Sequence, residues 1–155
     1  MKILMVCLGN ICRSPMAEGI MQAKIEKYKL SAEVDSAGFE PFHTGDAPDQ
    51  RAVKVMKMHG IDISAQRSRL FRKSDFDRFD RIYVMDSGNF NDVKSMAASP
   101  DQMKKVDYIL NILHPNSNIP VPDPYYGGEE GFEKAHQLLD AAIELVAVEL
   151  TKGVL

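Results

Sequence analysis

The chain has 155 residues, 45% of them hydrophobic and 26% charged, with a formal net charge of −3. That length and apolar content suffice for one domain with a real core, taken as residues 1–155. The charge balance gives no reason to expect nucleic acid or an anionic membrane as partner, no apolar run is long enough to span a bilayer, and no basic-plus-apolar leader opens the chain, so a cytoplasmic monomer is expected. Only two cysteines occur, Cys7 and Cys12. They lie close together, and no Cys and His set has metal-ligand spacing, so neither a disulfide framework nor a metal nor any other cofactor is expected.

In chain order, Ile3, Leu4, Met5 and Val6 form an apolar run that reads as a buried strand. Residues 15–29 read as a helix with Ala17, Met21, Ile25 and Tyr28 near one face; Ser14 is its expected N-cap and Pro15 its expected start. Glu33 to Ser36 reads as a second strand, and the sequence DSAG then turns the chain. A second helix is predicted from Asp49 to His59, opened by Pro48 and stopped by Gly60, with Ala52, Val53 and Met56 inward. Asp80 to Met85 and Lys105 to Leu110 read as third and fourth strands, His114 to Pro124 as a structured loop. The last helix, residues 131–152, carries Phe132, Ala135, Leu139, Ala142, Val146 and Leu150 along a stripe. Strands alternating with helices argue for an α/β domain: a four-stranded parallel sheet with helices on both faces, joined by right-handed crossovers. Ligands bind such sheets at the carboxyl ends of the strands. Cys7, Ser36 and Asp86 all fall at or just after predicted strands, so one crevice can hold all three.

Between the first strand and first helix lies Cys7-Leu8-Gly9-Asn10-Ile11-Cys12-Arg13-Ser14-Pro15. A loop that curls around a tetrahedral anion points successive backbone N–H groups inward, and the helix behind it adds its positive end. Gly9 and Asn10 suit the curl, since glycine and asparagine tolerate positive φ. A Cys7 thiolate in the same concavity would be stabilised by those N–H groups and by Arg13, and so be a ready nucleophile. Arg13 presents a planar fork matched to two phosphoryl oxygens, and Ser14 can hydrogen-bond the sulfur as it leaves an intermediate. A lone cysteine at a strand end is usually a small buried hydrophobe; the whole string after a strand argues otherwise. Asp123, in Asp123-Pro124-Tyr125-Tyr126, is the candidate general acid: cleaving a phosphate monoester leaves an alkoxide or phenoxide that needs a proton. Asp-Pro alone is a common turn, but two tyrosines after it expose aromatic surface that needs a use.

Through CLGNICRSP near the N-terminus and DPYY from Asp123, the chain resembles the low-molecular-weight protein tyrosine phosphatases over its whole length. The resemblance implies hydrolysis of phosphotyrosine in proteins or peptides through a cysteinyl-phosphate intermediate, with Cys7, Arg13 and Asp123 catalytic and Leu8, Gly9, Asn10, Ile11, Cys12 and Ser14 completing the phosphate loop. It further implies that Tyr125 and Tyr126 flank the substrate ring, that Ser36 holds Asn10, and that Asp86 and Asn89 lie near the loop. Asp86 also reads as an ordinary helix N-cap. Arg69 is expected in structural ion pairing, and His59 at a helix end. Two positions depart from the family pattern: the chain has no tryptophan after the SAG turn, leaving Phe42 as stand-in, and Gln66 occupies the place where a histidine is usual.

Competing functions remain open on the sequence. Arsenate reductases share the loop but use further cysteines outside it, which this chain lacks. Arginine phosphatases typically carry threonine where Ile11 stands here. A non-catalytic phosphopeptide-binding module would be expected to have lost Cys7, Arg13 or Asp123. Oxidation of Cys7 resolved by Cys12 as a disulfide is a further expectation of the pair.

Overall fold

The computed structural model describes residues 1–155. Its centre is a parallel sheet of four strands: β1 (Lys2–Val6), β2 (Glu33–Ala37), β3 (Arg81–Val84) and β4 (Val106–Tyr108), in the order β2-β1-β3-β4. The helices are α1 (Arg13–Tyr28), α2 (Gln50–Met58), α3 (Asp75–Arg78), α4 (Ser87–Met96), α5 (Pro100–Met103) and α6 (Glu129–Lys152), with 3₁₀ turns at Pro41–His43, Ile109–Ile112 and Pro124–Tyr126.

β1 is apolar throughout because it is covered on both faces, as parallel strands are when crossover helices flank them. Ile3 and Met5 pack into a core built with α1, α2 and α6, whereas Leu4 and Val6 face a smaller core containing Phe71, Phe76 and Phe79 and Val93 of α4. The predicted α/β sheet with helices on both faces is therefore what forms. β1 pairs with β2 on one side and β3 on the other. Connections leaving neighbouring strands in opposite directions open a crevice at their carboxyl ends, and Cys7 lies there.

Two local expectations need correction. Ser14 is not the N-cap of α1: the helix starts at Arg13 after Cys12, which supplies no side-chain cap, and Ser14 sits buried in the first turn with its hydroxyl committed to the loop. Pro15 is tolerated there because an N–H in the first turn has no intrahelical acceptor. In α2 the inward set is Ala52, Val55 and Met56, with Val53 only half-buried, because the helix turns its Val55 side to the core. The segment after Met85 forms α4, capped by the Asp86 carboxylate on the Asn89 N–H at 2.9 Å. Gly60 ends the α2 turn at φ +79°, as expected of a stop glycine.

Candidate active site

The loop from Cys7 to Arg13 is held from outside and open inside. Outward, the Phe39 N–H donates to the Leu8 carbonyl at 2.7 Å and the Asp49 N–H to the Ile11 carbonyl at 2.8 Å. Inward, the N–H groups of Gly9, Asn10, Ile11, Cys12 and Arg13 donate to no protein acceptor. A run of unpaired donors at the N-terminus of a sixteen-residue helix is a cradle for an anion. Asn10 supplies the left-handed turn at φ +55°. Gly9 does not; its backbone has negative φ, and what its missing side chain permits is closeness, since a Cβ would lie 3.2 Å from Glu40 Oε2 and His43 Cδ2.

Asn10 is the keystone of the curl. Its Nδ2 donates to Ser14 Oγ at 2.8 Å and to Ser36 Oγ at 2.9 Å, and its Oδ1 accepts from the Arg69 N–H at 3.0 Å. Arg69 is fixed in turn by Asp35 at 2.9 Å and by the fully buried Asp75 at 3.0 Å, the ion pairing expected of it. The Ser36 hydroxyl in turn donates a hydrogen bond to Glu18 Oε1 at 2.6 Å. Burial raises Glu18 from its ordinary 4.5 to about 7, although the Ser36 hydrogen bond pulls the other way. Gln66 donates to the Pro15 carbonyl at 3.1 Å, and its Oε1 is buried without a partner.

Cys7 Sγ lies at the bottom of this cradle, 2% exposed, 3.0 Å from Ser14 Oγ and 3.4 Å from the Ser14 N–H. Since Ser14 Oγ already accepts from Asn10, its own proton is free to point at the sulfur. At Cys12, burial, with Asp49 next in effect, pushes the thiol up, and it stays protonated. Both cysteines are free thiols.

Arg13 is 2% exposed and held along one edge only. Its Nη1 donates to Asp86 Oδ2 at 2.6 Å and to the Val121 carbonyl at 2.9 Å. That leaves Nε and Nη2 as the edge available to a phosphoryl group, and Nη2 lies 3.6 Å from Asp123 Oδ2. Burial works against the guanidinium charge, but Cys7, Asp86 and Asp123 outweigh it and raise the group further. Asp86 thus fills both roles read from sequence, helix cap and loop partner. With its amide turned so that the nitrogen faces the carboxylate, Asn89 donates to Asp86 Oδ1 and accepts from the Leu8 N–H, each at 3.2 Å.

Asp123 closes the cleft from the far wall. Its Oδ1 accepts from the Tyr125 N–H at 3.0 Å, the side chain is about one-third exposed, and Tyr125 and Tyr126 meet edge to face at 5.1 Å. The cleft brings together Cys7, Leu8, Ile11, Arg13, Phe42 and Asp123, with both tyrosines at its rim.

Several contributors left no legible mark in the sequence. Gly38, in the SAG turn, runs so close beneath the loop that a Cβ would sit 2.8 Å from Asn10 N and Leu8 O. The Val121 carbonyl is a backbone group and carries no residue-type signal. Arg51 is tied to Asp49 at 3.0 Å, donates to the Gly127 carbonyl at 3.1 Å and lies over the Tyr125 ring at 5.4 Å, bracing the Asp123 loop. Glu40 and His43 also line the cleft.

A family model described as low molecular weight phosphotyrosine protein phosphatase matches residues 2–154. Among curated relatives, the low molecular weight phosphotyrosine protein phosphatase of Schizosaccharomyces pombe is 39% identical over 143 residues, covering 90% of each chain. Among solved structures, a protein tyrosine phosphatase of Entamoeba histolytica with Hepes in its active site superposes with a TM-score of 0.92 at 38% identity, covering 100% of this chain and 99% of that one. A Drosophila arginine phosphatase superposes at 0.87 with 32% identity, covering 94% and 95%.

Proposed function

Since the chain belongs to the low molecular weight phosphotyrosine protein phosphatase family, we propose that its cleft hydrolyses phosphotyrosine monoesters in proteins or peptides by covalent catalysis at Cys7. The observation that carries this assignment is the buried Cys7 sulfur beneath a run of unpaired N–H groups, with Arg13 and Asp123 in the same cleft.

In the first step the Cys7 thiolate attacks phosphorus, an S–P bond forms, and the P–O bond to the tyrosine breaks. The loop N–H groups and the free edge of Arg13 take the equatorial oxygens, and Asp123 gives its proton to the departing phenolate. In the second step the Asp123 carboxylate takes a proton from water as that water attacks phosphorus. The S–P bond breaks, inorganic phosphate leaves, and the Ser14 hydroxyl meets the returning thiolate. Asn10, Ser36, Asp86 and Asn89 hold the loop and the arginine in place. Phe42, Tyr125 and Tyr126 grip the aryl ring. No helix is long and apolar enough to cross a membrane, and a free thiol nucleophile suits a reducing compartment such as the cytoplasm.

The arginine phosphatase reading has one observation in its favour: Glu40 places a carboxylate on the cleft wall, where a guanidinium would be welcome. Ile11, apolar and at the cleft floor, favours an aryl ring. The deciding experiment is phosphate release from matched phosphotyrosine, phosphoserine and phosphoarginine peptides, with Cys7→Ser as blank. Phosphotyrosine selectivity lost in the variant is expected. Preference for phosphoarginine would leave the chemistry intact and overturn the specificity; no release from any peptide would favour a phosphopeptide-binding module.

A further inference from the structure

A second cluster of chemically competent side chains lies at the other end of α2. His59 is the C-cap of that helix, and α6 presents Glu133 and His136 one turn apart on the same face, the i, i+3 spacing by which helical bundles aim a carboxylate and an imidazole at one ion. One ligand atom from each of the three lies within 4.8 Å of the others. His59 Nε2 is 2.9 and 3.0 Å from the two Glu133 oxygens, and the His59 and His136 rings stack at 3.7 Å with 10° between their planes.

His136 is the observation that asks for a ligand. Only 6% exposed, it makes no hydrogen bond through either ring nitrogen, and its Nδ1 is fully enclosed. Buried polar groups are normally satisfied, so an orphan imidazole lining a cavity beside two other ligating groups calls for an explanation. Of the two lysines lining the cavity, Lys24 and Lys27, Lys24 is already held by Asp140 at 3.1 Å and Glu144 at 2.7 Å, which offsets part of its charge.

We propose that His59, Glu133 and His136 bind one divalent transition-metal ion, such as zinc or nickel, and that the ion ties the end of α2 to α6. Two imidazoles and a carboxylate suit these metals, whereas magnesium and calcium prefer oxygen sets, and water completes the tetrahedron. Ligands about 2.0–2.1 Å from zinc sit about 3.3 Å apart, so the cluster closes by roughly 1.5 Å at most. The movement falls to His59 and Glu133, each about one-third exposed, which swing while the packed His136 stays still. No local pattern marks this site, because its ligands come from segments 74 residues apart.

The test is calorimetric titration of Ni²⁺ and Zn²⁺ into the full chain carrying Cys7→Ser and Cys12→Ser, which removes the thiols as competing ligands, with thermal melts alongside. One ion per chain and a raised Tm are expected, with Mg²⁺ giving neither. His136→Ala and, at the exposed position, Glu133→Gln each weaken binding by about tenfold or more. The Glu133 variant keeps the core intact if the His136 variant proves unstable. Affinity weaker than about 1 mM, or equal affinity in the parent and Glu133→Gln proteins, would overturn the site.

Discussion

The floor and the rim of the cleft are built on opposite principles. At the floor Cys7, Asn10 and Arg13 are each 2% exposed and Ser14 is wholly buried, and each makes polar contacts with the loop or its supports. At the rim Phe42 is 73%, Tyr125 41% and Tyr126 89% exposed, and few contacts hold them. Over-determined groups fix the positions that bond-making requires. Loosely held aromatics offer surface that adapts to what arrives. The difference fits the proposed division of labour, with reaction chemistry at the floor and substrate choice at the rim.

The sharpest way to break that division is at the sulfur. Cys7→Ser is expected to lower turnover by roughly 10⁴-fold or more while leaving binding of a phosphate analogue intact; residual turnover near wild type would end the covalent assignment. Asp123→Ala should cost about 10²- to 10⁴-fold with poor leaving groups and much less with good ones. Its Brønsted plot against leaving-group pKa tests this, and an equal loss across the series would remove Asp123 from proton transfer. Gly38→Ala pushes a methyl group against Asn10 N and Leu8 O. We expect a loss of about 1–3 kcal/mol in denaturant unfolding, with a lower kcat, because the floor cannot yield. A wild-type kcat in that variant would show the loop to be softer than its contacts suggest.

A pH test separates the floor's supports from its chemistry. Glu18 rises in the folded state from 4.5 to about 7, so the folded protein holds a proton that the unfolded chain has released between those values. Its contribution to stability is complete below about 4.5 and is lost as pH climbs through about 7. Glu18→Gln should therefore remove part of the stability loss over that window, read as the difference between the two proteins' unfolding curves at pH 5 and pH 8. Identical pH profiles would show Glu18 to be well solvated. The smallest effect belongs to the rim: Tyr126→Ala should raise KM for phosphotyrosine peptides a few-fold with kcat nearly unchanged, and a large fall in kcat would erase the distinction between rim and floor.

How far the molecule was legible from its sequence follows the same division. Ile3 to Val6 declared a buried strand because burial on both faces leaves an unbroken apolar run. Cys7, Arg13 and Asp123 were legible because their chemistry belongs to their side chains, and all three line one cleft. Ser14 was misread as a helix cap because Ser before Pro has that local meaning, whereas its partners, Cys7 and Asn10, are set by the curl of the loop. Val53 was preferred to Val55 because the angle of α2 against α6 is a tertiary fact. Gly38 and the Val121 carbonyl were invisible because one works by lacking a side chain and the other by its backbone.

The grip of Arg13 on Val121 couples parts of the chain that lie 108 residues apart. Val121 stands two positions before Asp123, so one edge of the guanidinium works as a tie-bar to the segment that carries the proposed proton donor. Any displacement of that segment also slackens the phosphate's anchor, and any torque on the arginine reaches the acid. The proposed clamp and the proposed proton donor therefore share one mechanical linkage, and a distant strain on the loop would register at both together.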